Sequence, residues 1–236
     1  TGNTTLTTGG VTSIASLTSS GSVDLTAGGN TTVTSMSATG HMTLGITGSA
    51  TIGSLSAAGN MGLNVVGSAT LSSLSTDANL SLTVAGNTSL TSDNAKGSAT
   101  VTVTGAGNAL SLGSLTAVNA SNVGQSMTLN VAGAITDGHS EDAVNADGVD
   151  ITAGSLSITA TSLGTASDAI ETNVDTLSLA ITAGAYLTES NALTLSSATV
   201  GGALNLSTGG ALTVTSANTG NTTLTTGGVT SIASLT

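Results

Sequence analysis

Cut at its glycines, residues 2–96 fall into five ungapped blocks of nineteen: "GNTTLTTGGVTSIASLTSS", "GSVDLTAGGNTTVTSMSAT", "GHMTLGITGSATIGSLSAA", "GNMGLNVVGSATLSSLSTD" and "ANLSLTVAGNTSLTSDNAK". One column of this register reads Leu6, Leu25, Leu44, Leu63, Leu82, and a second reads Ile14, Val33, Ile52, Leu71, Leu90. Two more are invariant: Gly10, Gly29, Gly48, Gly67, Gly86, and Ser16, Ser35, Ser54, Ser73, Ser92. So short a period leaves few folds. It cannot hold a strand–helix–strand crossover, which needs about 30 residues. Inside each block the apolar residues alternate, as in "VDLTA" and "LTVA", the period of a strand with one face buried. A strand, a turn, a second strand and a corner fit one coil of a parallel β-solenoid, each coil stacked about 4.8 Å above the last.

The fold class expected is all-β: a parallel β-helix, or β-solenoid. The Gly column then marks a corner that needs positive φ or a close approach of backbones. The Ser column lies two residues beyond the Ile/Val/Leu column, so its hydroxyls are expected to face inward as a ladder bonded from coil to coil. Stacking also accounts for a charged fraction of only 6%. Like charges about 4.8 Å apart repel by roughly 1 kcal/mol even in water, and a charged column repeats that cost at each step. Ser, Thr and Asn columns avoid it and can hydrogen-bond along the stack.

After residue 97 the beat continues with insertions. "SATVTVTG" and "SMTLNVAG" restart the first strand at Ala99 and Met127, followed by "SLSITA", "TLSLAITAG" and "ALNLSTGG". Added segments surround "VNASNVG" (118–124), "TDGHSEDAVNADG" (136–148) and "GTASDAIETNVD" (164–175), and should bulge side by side from the stack. The chain then returns to its beginning, because residues 219–236 repeat residues 1–18 without a change. The organisation expected is one tandem unit, 1–218, with regular coils over 2–96, longer coils over 97–201 and a regular coil over 202–219. Residues 219–236 open the next copy. About ten coils per unit imply an axial repeat of about 48 Å.

Composition narrows the function. The net charge of −11, with Lys96 the only Lys or Arg, excludes a basic footprint for nucleic acid or anionic lipid. No apolar run approaches the 18–20 residues of a membrane span. Regular aliphatic spacing argues against the disorder that a Gly/Ser/Thr-rich composition suggests. With no Phe or Trp and Tyr186 the one aromatic residue, a tandem β-sandwich lacks its usual core.

Catalysis is not expected. A polysaccharide lyase on this scaffold needs a cationic base, for which Lys96 is the lone candidate, and a hydrolase needs paired carboxylates with aromatic platforms. Eight of twelve acids fall between 137 and 175: Asp137, Glu141, Asp142, Asp147, Asp150, Asp168, Glu171 and Asp175. Calcium takes oxygen ligands from such a set, although GGxGxD spacing is absent, and solvated acidic loops are the simpler reading. His139 beside Glu141 and Asp142 suggests a transition metal, whereas His41 reads as an ordinary surface position. No residue is assigned to catalysis, a cofactor or a metal. Ice binding needs an unbroken outward Thr array, and the outward pairs Thr5/Thr7, Asp24/Thr26, Thr43/Gly45, Gly62/Asn64 and Ser81/Thr83 interrupt it.

Over nearly its whole length the chain resembles the filamentous-haemagglutinin-like group of large bacterial exoproteins. The likeness is carried by "GSVDLTAGGNTTVTSMSATG", "GSLSITATSLGTASDAIETNVDTLSLAITAGAYLTESNALTL" and "GGALNLSTGGALTVTSA". It implies a right-handed parallel β-helix, secreted as an extracellular shaft that is part of a filament or giant fibrous adhesin on a bacterial surface. Neighbouring copies of the repeat would be its partners, end to end. The alternative expectation is an adhesin module in which the acidic loops of 136–175 bind calcium or another ligand.

Overall fold

The computed structural model describes residues 2–139 and 148–236, and every regular element among them is a strand. Strands pair in parallel with their counterparts one coil away, at a constant offset of nineteen residues through the first five coils. The chain is a β-solenoid. Each regular coil has two sides joined by two turns. The plain side is a five-residue strand with three inward residues, as in Val23–Ala27. The other side is an eight-residue strand, as in Thr31–Ala38, in which two adjacent outward residues, Thr34 and Ser35, make a kink. Thr and Ser alternate in these strands with Leu, Val, Ile, Met and Ala, and the β-branched and aliphatic side chains suit a pleated, half-buried surface.

The aliphatic columns fill the interior. Leu25, Leu44 and Leu82 are fully buried, as are Ile52 and Leu71 in the second column. The Ser column does not join them. Ser16, Ser35 and Ser92 are exposed, and Ser54 and Ser73 only half-buried, because the kink places two consecutive residues outward and breaks the alternation. The inward position is one residue later, at Leu17, Met36, Leu55, Leu74 and Asp93.

Hydroxyls that do face inward are satisfied locally: Thr31 Oγ1 donates to the Gly29 carbonyl at 3.2 Å, and Thr88 Oγ1 to that of Gly86 at 3.3 Å. The polar ladder runs instead along a turn. Asn3 Oδ1 accepts from Ser22 N, Ser22 Oγ from His41 N, His41 Nδ1 from Asn60 N, and Asn60 and Asn79 continue it to Ser98. Each side chain receives the amide of the same position one coil up, at 2.9–3.2 Å. His41 is a rung of this ladder rather than an idle surface residue. Charge follows the stacking rule too: Lys96 lies one coil above Asp77 in the same column, with Nζ 2.6 Å from the carboxylate.

The Gly column answers to close approach, not to positive φ. A Cβ on Gly48 would lie 2.4 Å from the backbone of the coil below, and one on Gly86 2.7 Å. The positive-φ glycines of the described residues are Gly107, Gly148 and Gly164, all in the irregular region.

Above residue 97 the strands keep their stacking while the connections lengthen. Ala99 pairs with Leu80 and Met127 with Ala99, as the restarted motifs imply. The inward column from Thr4 runs through Val23, Met42, Met61, Leu80, Ala99, Met127, Leu156, Leu177, Leu195 and Val214 to Ile232, twelve coil levels. After Asp137 the chain leaves the kink of this side and rejoins it at Asp150; on the next level the loop 164–169 leaves one position before the kink, between Leu163 and Ile170.

The inward and outward assignment has a direct check. A carboxylate at Leu44 is buried without a partner, which costs several kcal/mol or forces its protonation, whereas Thr43 is exposed. Leu44→Asp is expected to lower the denaturation midpoint strongly and Thr43→Asp to leave it nearly unchanged; equal midpoints would overturn the facing.

Candidate functional site

The acidic residues picked out by sequence part company in the fold. Glu141, Asp142 and Asp147 lie outside the described residues. Asp175 is exposed on the outward face of its strand, and Asp168 closes the tip of the 164–169 loop, where its carbonyl accepts from Thr165 N. Asp137, His139 and Asp150 come together. Their ligand atoms all lie within 4.8 Å of one another. His139 Nδ1 is 3.4 Å from Asp137 Oδ1 and 3.3 Å from Asp150 Oδ1, and the two carboxylates are 1% and 0% exposed.

The backbone builds this cluster. Asp137 ends the strand Ala134–Asp137, and its Oδ1 accepts the His139 amide at 2.8 Å, turning the chain outward. Asp150 stands where the chain re-enters, its carbonyl accepting from Leu115 N and its own amide donating to the Glu171 carbonyl. Asp150 Oδ2 accepts from Glu171 N at 2.9 Å and so ties the cluster to the next coil. Departure and return of the inserted segment thus meet at two buried carboxylates and one imidazole. Lys96, the only Lys or Arg, is committed to Asp77. Two buried carboxylates beside an imidazole, with no Lys or Arg left to pair them, form a donor set for a cation. Two carboxylate oxygens with an imidazole nitrogen suit a divalent ion of the manganese-to-zinc series better than calcium, which favours all-oxygen shells.

Two further buried carboxyls were not singled out by sequence. Asp93 occupies the inward column between Leu74 and Leu115 and is 2% exposed. Its Oδ1 accepts Leu74 N at 2.8 Å, while Oδ2 has no hydrogen-bond partner among the described residues. Burial pushes its pKa up to about 7 against the opposing hydrogen bond. Glu189 is equally buried, and Oε2 accepts from Thr172 Oγ1 at 2.8 Å and Val174 N at 3.0 Å. Burial also raises its pKa, with these hydrogen bonds pulling the other way. Asp93 was legible as the odd member of a Leu/Met column; Glu189 had no such column beside it.

One groove is notable among the described residues. Loop 164–169 overhangs Tyr186, Asn205 and Ser207 and encloses about 290 Å³, with Thr223 and Thr225 of the repeated segment at its upper end. No known protein family, curated protein or solved structure matches the chain.

Asp93 predicts a pH dependence of stability. Below pH about 4 its carboxyl is neutral in the folded and unfolded chains alike. Between there and about 7 the fold keeps the proton that the unfolded chain has lost, so stability declines as pH rises and the contribution is gone above 7. Asp93→Leu, matching Leu74 below and Leu115 above, is expected to flatten that part of the decline and to raise the denaturation midpoint at pH 8. An unchanged profile from pH 4 to 8 would overturn the assignment.

Proposed function

We propose that the chain is a segment of a continuous tandem array, the shaft of an extracellular filament or giant fibrous adhesin, and that its role is structural. The observation that carries this reading is the fate of the repeated eighteen residues. Copied at 219–236, they continue the stack: Leu224 pairs over Leu206, Thr230 over Leu212 and Ile232 over Val214. Three glycines make the same point. A Cβ on Gly2, Gly9 or Gly10 meets nothing within 4 Å, whereas at the identical positions Gly220, Gly227 and Gly228 it would lie 3.0, 2.3 and 2.8 Å from the coil beneath. The first-copy glycines are therefore shaped for a coil that would precede them. Apolar surface is open at both ends as well, with Leu6, Ile14 and Leu17 half-buried below and Ile232 and Leu235 46% and 43% exposed above.

Such ends invite pairing because each is a row of unpaired strand edges over an uncovered core. The unit of residues 1–218 at low micromolar concentration is expected to sediment as end-to-end oligomers. A lasting monomer would count against the shaft and favour a self-contained module.

The second reading, a ligand-binding adhesin module acting through the loops of 136–175, is favoured by the Asp137–His139–Asp150 cluster. Saturating Mn²⁺ or Zn²⁺ is expected to raise the melting temperature by several degrees, and Asp150→Asn to abolish the rise. No shift with Mn²⁺, Zn²⁺ or Ca²⁺ would remove this reading.

A further inference from the structure

We infer that successive copies of the 218-residue unit are joined with a half-turn offset, so that a second copy presents each side of the solenoid opposite to where the first presented it. This rests on the tandem-array reading and concerns the surface by which one copy receives the next. The registers carry it. In the first copy the plain strand Thr4–Thr8 starts one side, and the kinked strand Thr12–Ser19 starts the other. The column above Thr4 climbs to Leu195, Val214 and finally Ile232, at its twelfth level. Ile232 is the counterpart of Ile14, a residue of the kinked strand.

The column above Thr12 runs through Thr31, Ala50, Ala69, Thr88, Leu110, Ile135, Leu163, Ala185 and Leu204 to Thr222, at its eleventh level. Thr222 is the counterpart of Thr4 in the plain strand. Both columns give one answer. The unit advances ten and a half coils, and plain and kinked sides have exchanged places by the time it repeats.

The exchange is visible where it happens. On the first side the register slips between Leu177 and Ser178, where Ser196 is the extra residue that turns a plain strand into a kinked one. Ser196 Oγ donates to the Leu177 carbonyl at 2.9 Å. On the second side the kinked arrangement gives way to the plain strand Ala185–Glu189, and Glu189 takes the Val174 amide at the corner. The consequence is geometric. At about 4.8 Å per coil, one unit rises about 50 Å, and two units, about 100 Å, return a side to its starting position. The 164–169 loop and the Asp137–His139–Asp150 cluster then alternate between opposite sides of the stack from copy to copy.

Disulfide trapping in the 236-residue chain tests the offset, with no native cysteine to interfere. Parallel neighbours about 4.8 Å apart lie within disulfide reach. Half-turn stacking places Thr223 over Asn205, whereas whole-turn stacking would place it over Ser197, the residue that continues the column of its counterpart Thr5. Asn205→Cys/Thr223→Cys is expected to cross-link as fully as the control Ser81→Cys/Thr100→Cys, whose register is internal, and Ser197→Cys/Thr223→Cys to stay reduced. Cross-linking of the Ser197 pair, or of neither junction pair while the control forms, overturns the half-turn. Failure of the array reading appears elsewhere, as a lasting monomer on sedimentation, and leaves the cross-linking result intact.

Discussion

Everything in this molecule follows from stacking a backbone on a copy of itself at about 4.8 Å. Parallel hydrogen bonds between coils run along the axis, so each residue's nearest neighbours are those at the same position above and below. A residue type is thus chosen for how well it tolerates its own repetition. Leu44 between Leu25 and Leu63 gains by repetition, since each buries the other. A like charge would lose at every step: Asp77 and Lys96, on neighbouring rungs, have opposite sign, and the stacked acids Asp150 and Glu171 occur only where the coil is irregular, joined through the Glu171 amide. The turn ladder of Asn3, Ser22, His41, Asn60 and Asn79 is the polar form of the same rule. Each acceptor takes an amide that would otherwise lack a partner at the turn.

This rule explains why the fold was legible. The period of nineteen and the alternation of "VDLTA" are direct images of the coil, so class, coil length and the inward columns of Leu25 and Ile52 could be read before any coordinates. The Ser column was misread for a reason equally physical. Alternation assumes a straight strand, and the kink at Thr34–Ser35 sets two successive residues outward. The correct signal was present in the column Leu17, Met36, Leu55, Leu74, three residues rather than two beyond Ile14, Val33, Ile52 and Leu71. The candidate site was only partly readable. Composition located the acids of 137–175, but the meeting of Asp137, His139 and Asp150 depends on where an inserted segment leaves and re-enters, which no period encodes.

Buried carboxyls mark the places where the stack departs from pure repetition. Asp93 is in the last of the five regular coils, immediately before the first insertion, and its Oδ1 takes the amide of Leu74 in the coil beneath. Asp150 and Glu171 bridge the two levels from which the loops emerge. Glu189 receives Thr172 Oγ1 and the Val174 and Asn191 amides at the corner where a kinked side becomes a plain one. A corner that changes shape between levels leaves backbone amides facing no carbonyl, and a carboxylate is the one small side chain that can accept two or three of them at once. Among the described acids, Asp24, Asp77 and Asp175 are on outward faces, whereas Asp93 inside its strand and Asp150 and Glu189 at irregular corners accept backbone amides.

The half-turn follows from the same economy of corners. A unit made only of nineteen-residue coils would return each copy to the same azimuth and superimpose every loop on the loop of its neighbour. The described acids Asp137, Asp150 and Asp168 all belong to one stretch of the unit, and in a whole-turn array they would line a single edge of the stack. Exchanging the plain and kinked sides once per unit involves a slipped register at Leu177/Ser178, a second at Val200/Ala203 under the repeated segment, and a carboxylate-completed corner at Glu189. In the proposed array, the 164–169 loops of adjacent copies would then be separated around the stack as well as along it. At about 50 Å of axial rise their mutual field is already screened beyond several Debye lengths. The rotation therefore changes which faces a neighbouring surface can meet far more than it changes the stability of the shaft.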